Sequence, residues 1–562
     1  MSNLAAERSG ATGAESSLRP AYASPPTIRA WSAKWWLVIA ALVAAYGVLL
    51  AATASPHASG SDQSGYLNSA RLLDQGLRFT PLRPIPGTPA GKVRPWLLTP
   101  LGFAPAPLPR YALPTYPPGF PLHLVAASRL VGWDAAGVAV QAWAGAALLL
   151  LVCLLGRELG LPPAAAVAAA LLLAAFPVTV HFFIWMMSDG LAATWCCAAV
   201  LGALAARRRP AWAAAAGFGL SMAVAVRPTD VLLLSALAVA LPRRGSAWIA
   251  FAAGAAPGAL LLGMYNFEVY GGVLASGYRG ASGLFDAAYF GPRIVHFAHW
   301  LVRFLTVPVA ALWLVGVAAA VRGDRRQFLL LAWFAPIVVF YAFYYHSIEA
   351  WWYLRFILPA VPAFVLAAVA AGHDLAVRAG GRGSSRWRRA AVALVAFLVV
   401  AYGVRNGVAW TRGLHVLRIA SDTAVYPNGV LWLEERTPPG SPVVAMQFSG
   451  ALFFSSERPL LRWDTGDPTH LGRVVARSLR AGARPHALLF DFEVERLHAR
   501  HPGLFVEVAR RQPLVLLAAA PRASPATGAL DRRPVRRSIP ASGVRGAEST
   551  VRPRPSAAPR RR

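Results

Sequence analysis

The sequence predicts an all-α polytopic membrane bundle of about ten or eleven transmembrane helices, followed by a small C-terminal α/β soluble domain. Three observations carry that reading. The 562-residue chain is 56% hydrophobic and only 14% charged, where a soluble chain carries about 25% charge. Its apolar residues come in blocks of about 20, the length that crosses a ~30 Å hydrocarbon layer. After residue 408 the pattern changes to short apolar runs alternating with helical ones.

The apolar runs fall at 33–53, 138–156, 164–182, 188–206, 212–226, 229–241, 246–266, 299–321, 328–345, 353–372 and 391–408. The pair flanking Arg227-Pro228 is short, and reads either as two thin helices or as one broken element. Proline restricts the residue before it and ends helices, so a break is expected there. With the N-terminus in the cytoplasm, Arg157, Arg207–Arg209, Arg243-Arg244, Arg322, Arg325-Arg326 and the cluster from Arg378 to Arg389 share one side. That is the pattern of the positive-inside rule. The opposite side then receives long loops at 54–137 and 267–298, the turn 345–353 and everything after 408. The first loop carries seven basic residues of its own, but long loops largely escape the rule. This topology places the protein in the cell inner (plasma) membrane.

The domain reading is a polar cytoplasmic N-terminus at 1–32, a membrane domain at 33–408, an α/β domain at 409–520 and a basic tail at 521–562. The first apolar run has no convincing cleavage site after it and reads as a retained helix. In the C-terminal domain, Asn428–Glu435 and His470–Ala481 read as helices. Pro442–Met446, Pro459–Trp463, Ala487–Asp491, Leu504–Val508 and Leu514–Leu517 read as strands. The tail holds eleven arginines against two acids and cannot bury a core. The net charge of +30 is then orientation signal and contact with anionic membrane lipid, with no nucleic-acid partner. Cys153, Cys196 and Cys197 lie inside apolar runs without metal-ligand spacing and read as small hydrophobes. No Walker, GxSxG or HEXXH pattern occurs, which argues against ATP hydrolysis and zinc-protease chemistry.

A charge near membrane depth costs at least ~2.5–3.5 kcal/mol, so each calls for an explanation. Asp62 opens a run with helical spacing through Tyr66, Ala70, Leu73 and Leu77. It either caps that helix or serves as a general base or metal ligand. Asp189 follows Ser188 at the start of the fourth run and carries the same two readings. Two carboxylates in one cleft can divide acid, base and metal roles. Arg227 and Arg355 either snorkel or bind phosphate in bidentate fashion. His346 and Glu349 form a titratable pair in the turn before Arg355, with His346 favoured as an interfacial residue. Trp351, Trp352 and Tyr353 either stack on a sugar face or belong to an interfacial belt.

In order and spacing, these residues resemble the GT-C integral-membrane glycosyltransferases of the ArnT/PMT-like superfamily, especially the bacterial branch with an RgtA/B/C/D-like domain. The resemblance covers about 33–520. It rests on Asp62 with Tyr66 and Gly76, and on Tyr116-Pro117-Pro118-Gly119-Phe120-Pro121 with Leu155–Gly160. It also rests on Phe176-Pro177 with Ser188-Asp189, and on Gly219 to Arg227-Pro228 with Arg355–Pro362. The stretch from Trp432 to Arg458 resembles the soluble domain common in this group. The resemblance implies transfer of a sugar from a polyprenyl-phosphate donor to a lipid, polysaccharide or protein acceptor at the outer face of the membrane. It makes Asp62 the base and Asp189 the second acid. Tyr66, Arg227, His346, Glu349 and Arg355 then become residues that bind substrate or lipid phosphate. Many relatives carry two adjacent acids at the first position. Here Gln63 follows Asp62, so a divalent metal ion is left open. Three other classes are weighed: a non-catalytic flippase or transporter of lipid-linked sugars, an outer-face polysaccharide ligase or polymerase, and a structural scaffold with the C-terminal domain as a partner-binding module. The scarcity of polar residues in runs 138–156, 299–321 and 391–408 weighs against a transport path.

Overall fold

A computed structural model describes residues 31–278, 281–345, 348, 350–381 and 384–521. Residues 1–30, the tail from 522, and His346 and Glu349 lie outside the described residues, so the readings placed on them are not addressed by it.

Among the described residues, seven helices are long and apolar enough to cross a membrane, and two bent helix pairs bring the count to as many as nine. Gly119–Val131 and, on either side of Arg227, Trp212–Val226 and Pro228–Ala240 are shorter apolar helices. The protein is therefore a multi-pass membrane protein whose helices follow the apolar runs of the sequence. The bends have identifiable causes. Pro163–Ala175 and Pro177–Ile184 meet at 64° across Phe176-Pro177, because proline drives the residue before it out of helical geometry. The run read as one span at 299–321 is instead broken, with Ala287–Leu305 and Val307–Val321 meeting at 120°. The break sits at Thr306, whose φ of 76° no helix tolerates, one residue before Val307-Pro308. Around Arg227 the chain is extended (φ −142°, ψ 108°). It then re-enters as a tight 3-10 turn, Pro228–Leu233. The pair is thus two short helices with Arg227 at the joint.

Above the bundle sits a layer built from two distant parts of the chain. The loop segment supplies helix Asp62–Asp74 and a three-stranded antiparallel sheet of β1 (Thr80–Pro81), β2 (Phe103–Pro105) and β3 (Tyr111–Pro114), in the order β1-β3-β2. The C-terminal part supplies β4 (Val443–Val444), β5 (Leu460–Leu461), β6 (His486–Phe490), β7 (Phe505–Arg511) and β8 (Leu514–Ala519), in the order β5-β4-β6-β8-β7. The strands β5, β4 and β6 run parallel, and β8 and β7 continue antiparallel.

Alternation along these strands feeds two cores. Val443, Leu460, Leu488 and Leu516 pack under helix Val425–Arg436. Val444, Leu461, Leu489 and Leu517 face the other way, and share a core with Leu471 and Val474 of helix Pro468–Arg480 and with Leu82, Ile85 and Leu97 of the loop segment. The loop and the C-terminal domain are therefore one packed body, which the sequence did not indicate.

Candidate active site

Helix Asp62–Asp74 is held in place from three directions. Asn68 donates to the Gly450 carbonyl at 3.0 Å, and Arg71 to the Phe454 carbonyl at 2.7 Å. Both acceptors belong to helix Ser449–Ser455 of the C-terminal domain. Ser449 Oγ in turn accepts from Leu101 N–H at 3.0 Å. From the side, Gly65 meets Gly102 so closely that a Cβ on Gly102 would overlap Gly65 Cα and lie 2.9 Å from the Ser61 carbonyl. Gly102 also has a φ of +84°, a conformation glycine adopts without strain.

The result is the placement of Asp62. Its carboxylate does not cap the helix. Oδ1 accepts from the Tyr116 hydroxyl at 2.5 Å, and Oδ2 pairs with Arg355 Nη1 at 3.1 Å. Tyr116 also exchanges a hydrogen bond with Ser61 Oγ at 3.0 Å, and its ring packs on Tyr66 at 4.8 Å. Tyr66 contacts Phe120 at 4.9 Å and bonds Ser188 Oγ at 2.9 Å. Burial, with the Asp62 charge beside it, pushes both phenols above their ordinary range. Both therefore stay protonated and can donate.

Asp189 lies next door, in the first turn of Ser188–Ala205. It is not a cap either. Its Oδ1 accepts from Arg227 Nη1 at 2.6 Å. Arg227 is the hub of the site. It also donates to the Arg355 carbonyl at 3.2 Å and to the Tyr341 hydroxyl at 2.7 Å. Tyr341 is shared with Thr229 at 2.6 Å. Phe356 lies beneath both guanidinium groups, 5.9 Å from Arg227 and 5.0 Å from Arg355. The two acids are thus brought into one network, each held by its own arginine.

That arrangement bears on a metal ion. Among the described residues, no group of three or more His, Cys, Asp or Glu side chains could hold one. With both carboxylates neutralised by guanidinium groups, the described donor set does not fit a divalent ion.

The site assembles Asp62, Tyr66, Asp189, Arg227 and Arg355. Sequence reasoning quoted Tyr116 only as part of a motif and gave Tyr341 no role. Tyr116 had a signal in its place before Pro117-Pro118, whereas Tyr341 looked like any aromatic in an apolar run. Asp230, 1% exposed and three residues after Arg227, is a further buried acid next to the site. Trp351 is buried against His181 at 4.9 Å and Phe304 at 5.9 Å, so its ring is not presented to a substrate.

No protein-family model matches the chain, and no curated protein matches it by sequence. Solved structures do. ArnT from Cupriavidus metallidurans bound to undecaprenyl phosphate aligns with a TM-score of 0.51 at 15% identity, over 88% of this chain and 99% of that one. The mycobacterial arabinofuranosyltransferase AftD, as its R1389S mutant, aligns at 0.53 and 14% identity over 87% of this chain and 42% of that one. The Archaeoglobus fulgidus oligosaccharyltransferase aligns at 0.50 and 12% identity, over 84% and 71%. All three are GT-C membrane glycosyltransferases. The chain has the GT-C fold. In it, Asp62 opens the first helix of the loop layer and Asp189 lies in the first turn of the membrane helix Ser188–Ala205.

Proposed function

We propose that the protein is a glycosyltransferase of the plasma membrane. It moves a sugar from a polyprenyl-phosphate donor to a lipid, polysaccharide or protein acceptor on the extracytoplasmic face. The observation that carries this reading is the Asp62 carboxylate, poised between the Tyr116 hydroxyl and the Arg355 guanidinium at a partly open edge of the bundle. ArnT in the structure named above is bound to undecaprenyl phosphate, a ligand of the proposed donor class.

The geometry supports a sequence of steps. In the resting site Arg355 pairs with Asp62 at 3.1 Å and occupies one of its carboxylate oxygens. An arriving lipid phosphate competes for Arg355, because a planar guanidinium binds phosphate in bidentate fashion. Asp62 is then released to take the proton of an acceptor hydroxyl. The acceptor oxygen attacks the anomeric carbon from the face opposite the phosphate, and the bond from that carbon to the phosphate oxygen breaks. The configuration inverts, and the new negative charge on the lipid phosphate stays on Arg355. Arg227 holds the Arg355 backbone in register through its bond to that carbonyl.

The test is transfer by purified protein in nanodiscs from radiolabelled polyprenyl-phosphate sugars. Asp62→Asn keeps the shape and removes the base. It is expected to lower turnover by about 10²- to 10⁴-fold with donor binding and folding retained. Turnover unchanged in Asp62→Asn would remove the assignment.

A further inference from the structure

Among the described residues of the layer above the membrane, some arginines are ion-paired and others, such as Arg110, Arg418 and Arg511, are in no ion pair. Arg78, Arg83, Arg129, Arg462 and Arg510 each pair with a carboxylate. One face is different. Helix Pro468–Arg480 buries Leu471, Val474, Val475 and Ser478. His470, Arg473, Arg477 and Arg480 therefore fall together on its other side, at spacings of three and four. The loop segment brings Lys92, Arg94 and Trp96 to the same place. Arg94 N–H donates to His470 Nε2 at 3.0 Å. Thr465, just before the helix, donates to the Trp96 carbonyl at 3.3 Å. Burial together with Arg473, Arg94 and Arg477 holds the His470 ring below the usual histidine range, so these groups are close neighbours.

Among the described residues, none of Lys92, Arg94, Arg473, Arg477 and Arg480 forms an ion pair. The acid at the end of this face, Asp467, caps the helix by accepting from Thr469 N–H at 2.9 Å. Trp96 is half exposed at 51%, an aromatic plane amid unpaired cations. Asp467 is the one carboxylate beside Arg473 and Arg94 among the described residues, and like charges gathered in excess of it repel one another, so the face favours an external anion.

Two further features say what kind of anion. The basic helix lies across the sheet from helix Val425–Arg436, which follows the last apolar helix, Arg386–Gly413, in the chain. The face is thus on the sheet side opposite the element that returns toward the bundle, which favours a partner from the aqueous phase over the bilayer. The chain also runs directly from Trp96 to the site. Gly102 abuts the Asp62 helix at Gly65, and Tyr116 holds the Asp62 carboxylate. The loop segment that carries Lys92, Arg94 and Trp96 is thus the same one that positions the Asp62 helix.

We propose that this composite face, made by the loop segment and helix Pro468–Arg480, docks an anionic glycan, which is the acceptor of the transfer reaction. The acceptor role rests on the function proposed above; the binding itself does not. Arginines and Lys92 meet the carboxylate, phosphate or sulfate groups of the chain, and Trp96 stacks on a sugar face.

The test uses full-length protein in nanodiscs of neutral lipid, with fluorescently labelled heparin as the anionic glycan and dextran of equal length as the neutral one. Wild type is expected to bind heparin and not dextran, with affinity falling as salt is raised. The triple variant Arg94→Glu, Arg473→Glu, Arg477→Glu is expected to bind at least on the order of tenfold more weakly. Arg496→Glu, a charge reversal at an exposed position on another helix of the same domain, should leave binding unchanged. Because the variant positions are at the surface, a matched thermal unfolding curve certifies the fold. Equal heparin binding by wild type and the triple variant overturns the proposal, and so does equal binding of dextran. Binding of the purified protein to anionic-lipid vesicles but not to heparin overturns it in favour of a membrane contact. Loss of the Asp62 assignment in the transfer assay would leave the binding result standing, so the two failures are distinguishable.

Discussion

The two acid–arginine pairs of the site are alike in chemistry and unlike in surroundings. The Asp189 and Arg227 side chains are 6% and 11% exposed, and Arg227 is further tied to Tyr341 and to the Arg355 carbonyl. The Asp62 and Arg355 side chains are 24% and 16% exposed. The first pair is locked into the bundle. The second lies at an edge that a ligand can reach. By residue pattern alone the two acids carried the same readings, each at a helix start, and only the family resemblance set them apart. Burial separates them into a locked pair and a partly exposed one, which are the positioning and the reacting pair of the proposed mechanism.

That distinction is broken most directly by removing one arginine at a time. Arg227→Met leaves the Asp189 carboxylate buried and unpaired, which is expected to cost about 3–5 kcal/mol of stability. Arg355→Met opens a pair that water partly covers, and is expected to cost about 1 kcal/mol while abolishing transfer. Thermal unfolding in nanodiscs, followed by tryptophan fluorescence, reads the first number, and the transfer assay reads the second effect. Equal stability losses would erase the difference between the pairs. Adding Asp189→Leu to Arg227→Met removes the stranded charge and should restore part of the lost stability.

A second comparison sharpens the first by moving Asp62 without touching it. Gly102 and Gly440 both have positive φ, +84° and +74°. A Cβ on Gly440 meets nothing within 4 Å, whereas one on Gly102 runs into the backbone of Gly65 and Ser61. Ala at either position carries the left-handed penalty of about 1–2 kcal/mol. Only Gly102→Ala should also push the Asp62 helix aside, and a misplacement of about 1 Å can cost 10²-fold in rate. Transfer lost in Gly102→Ala and kept in Gly440→Ala at similar stability is the expected pattern. Equal activities would mean that the Gly65–Gly102 contact does not position the acid.

Much of this was legible in the sequence, for physical reasons. The bilayer forces apolar blocks of fixed length, so the helices of the bundle followed the runs. Short strands bounded by turns declared β4 to β8. Charges in an apolar setting are costly, so Asp62, Asp189, Arg227 and Arg355 stood out one by one. What did not show was pairing across distance. Nothing in the neighbourhood of Leu97 says that it shares a core with Leu471, or that Asn68 reaches Gly450. Tyr341 is one aromatic among many until the fold sets its hydroxyl against Arg227. The run 299–321 contained Pro308, but the left-handed Thr306 that turns it by 120° had no sequence signal.

The smallest expected effect concerns a third carboxylate, away from both pairs. Glu493 is fully buried in the C-terminal domain. It accepts from Phe490 N–H at 3.0 Å, Gln447 N–H at 3.4 Å and Trp463 Nε1 at 3.2 Å. Burial pushes its carboxyl up to about 7, against the three donors that favour its charge. The unfolded carboxyl titrates near the ordinary value of about 4.3. A folded value raised above the unfolded one contributes stability that is full below pH ~4.3 and is lost as pH rises through ~7. The layer above the membrane should therefore weaken between pH 5 and pH 8. Gln447 lies two residues before helix Ser449–Ser455, which clamps the Asp62 helix through Gly450 and Phe454. The same titration therefore reaches the reacting pair through its scaffold and leaves the locked pair aside. Glu493→Gln cannot titrate and should flatten the unfolding temperature across pH 5 to 8. A slope unchanged by that substitution would mean that the clamp on Asp62 does not depend on the charge of Glu493.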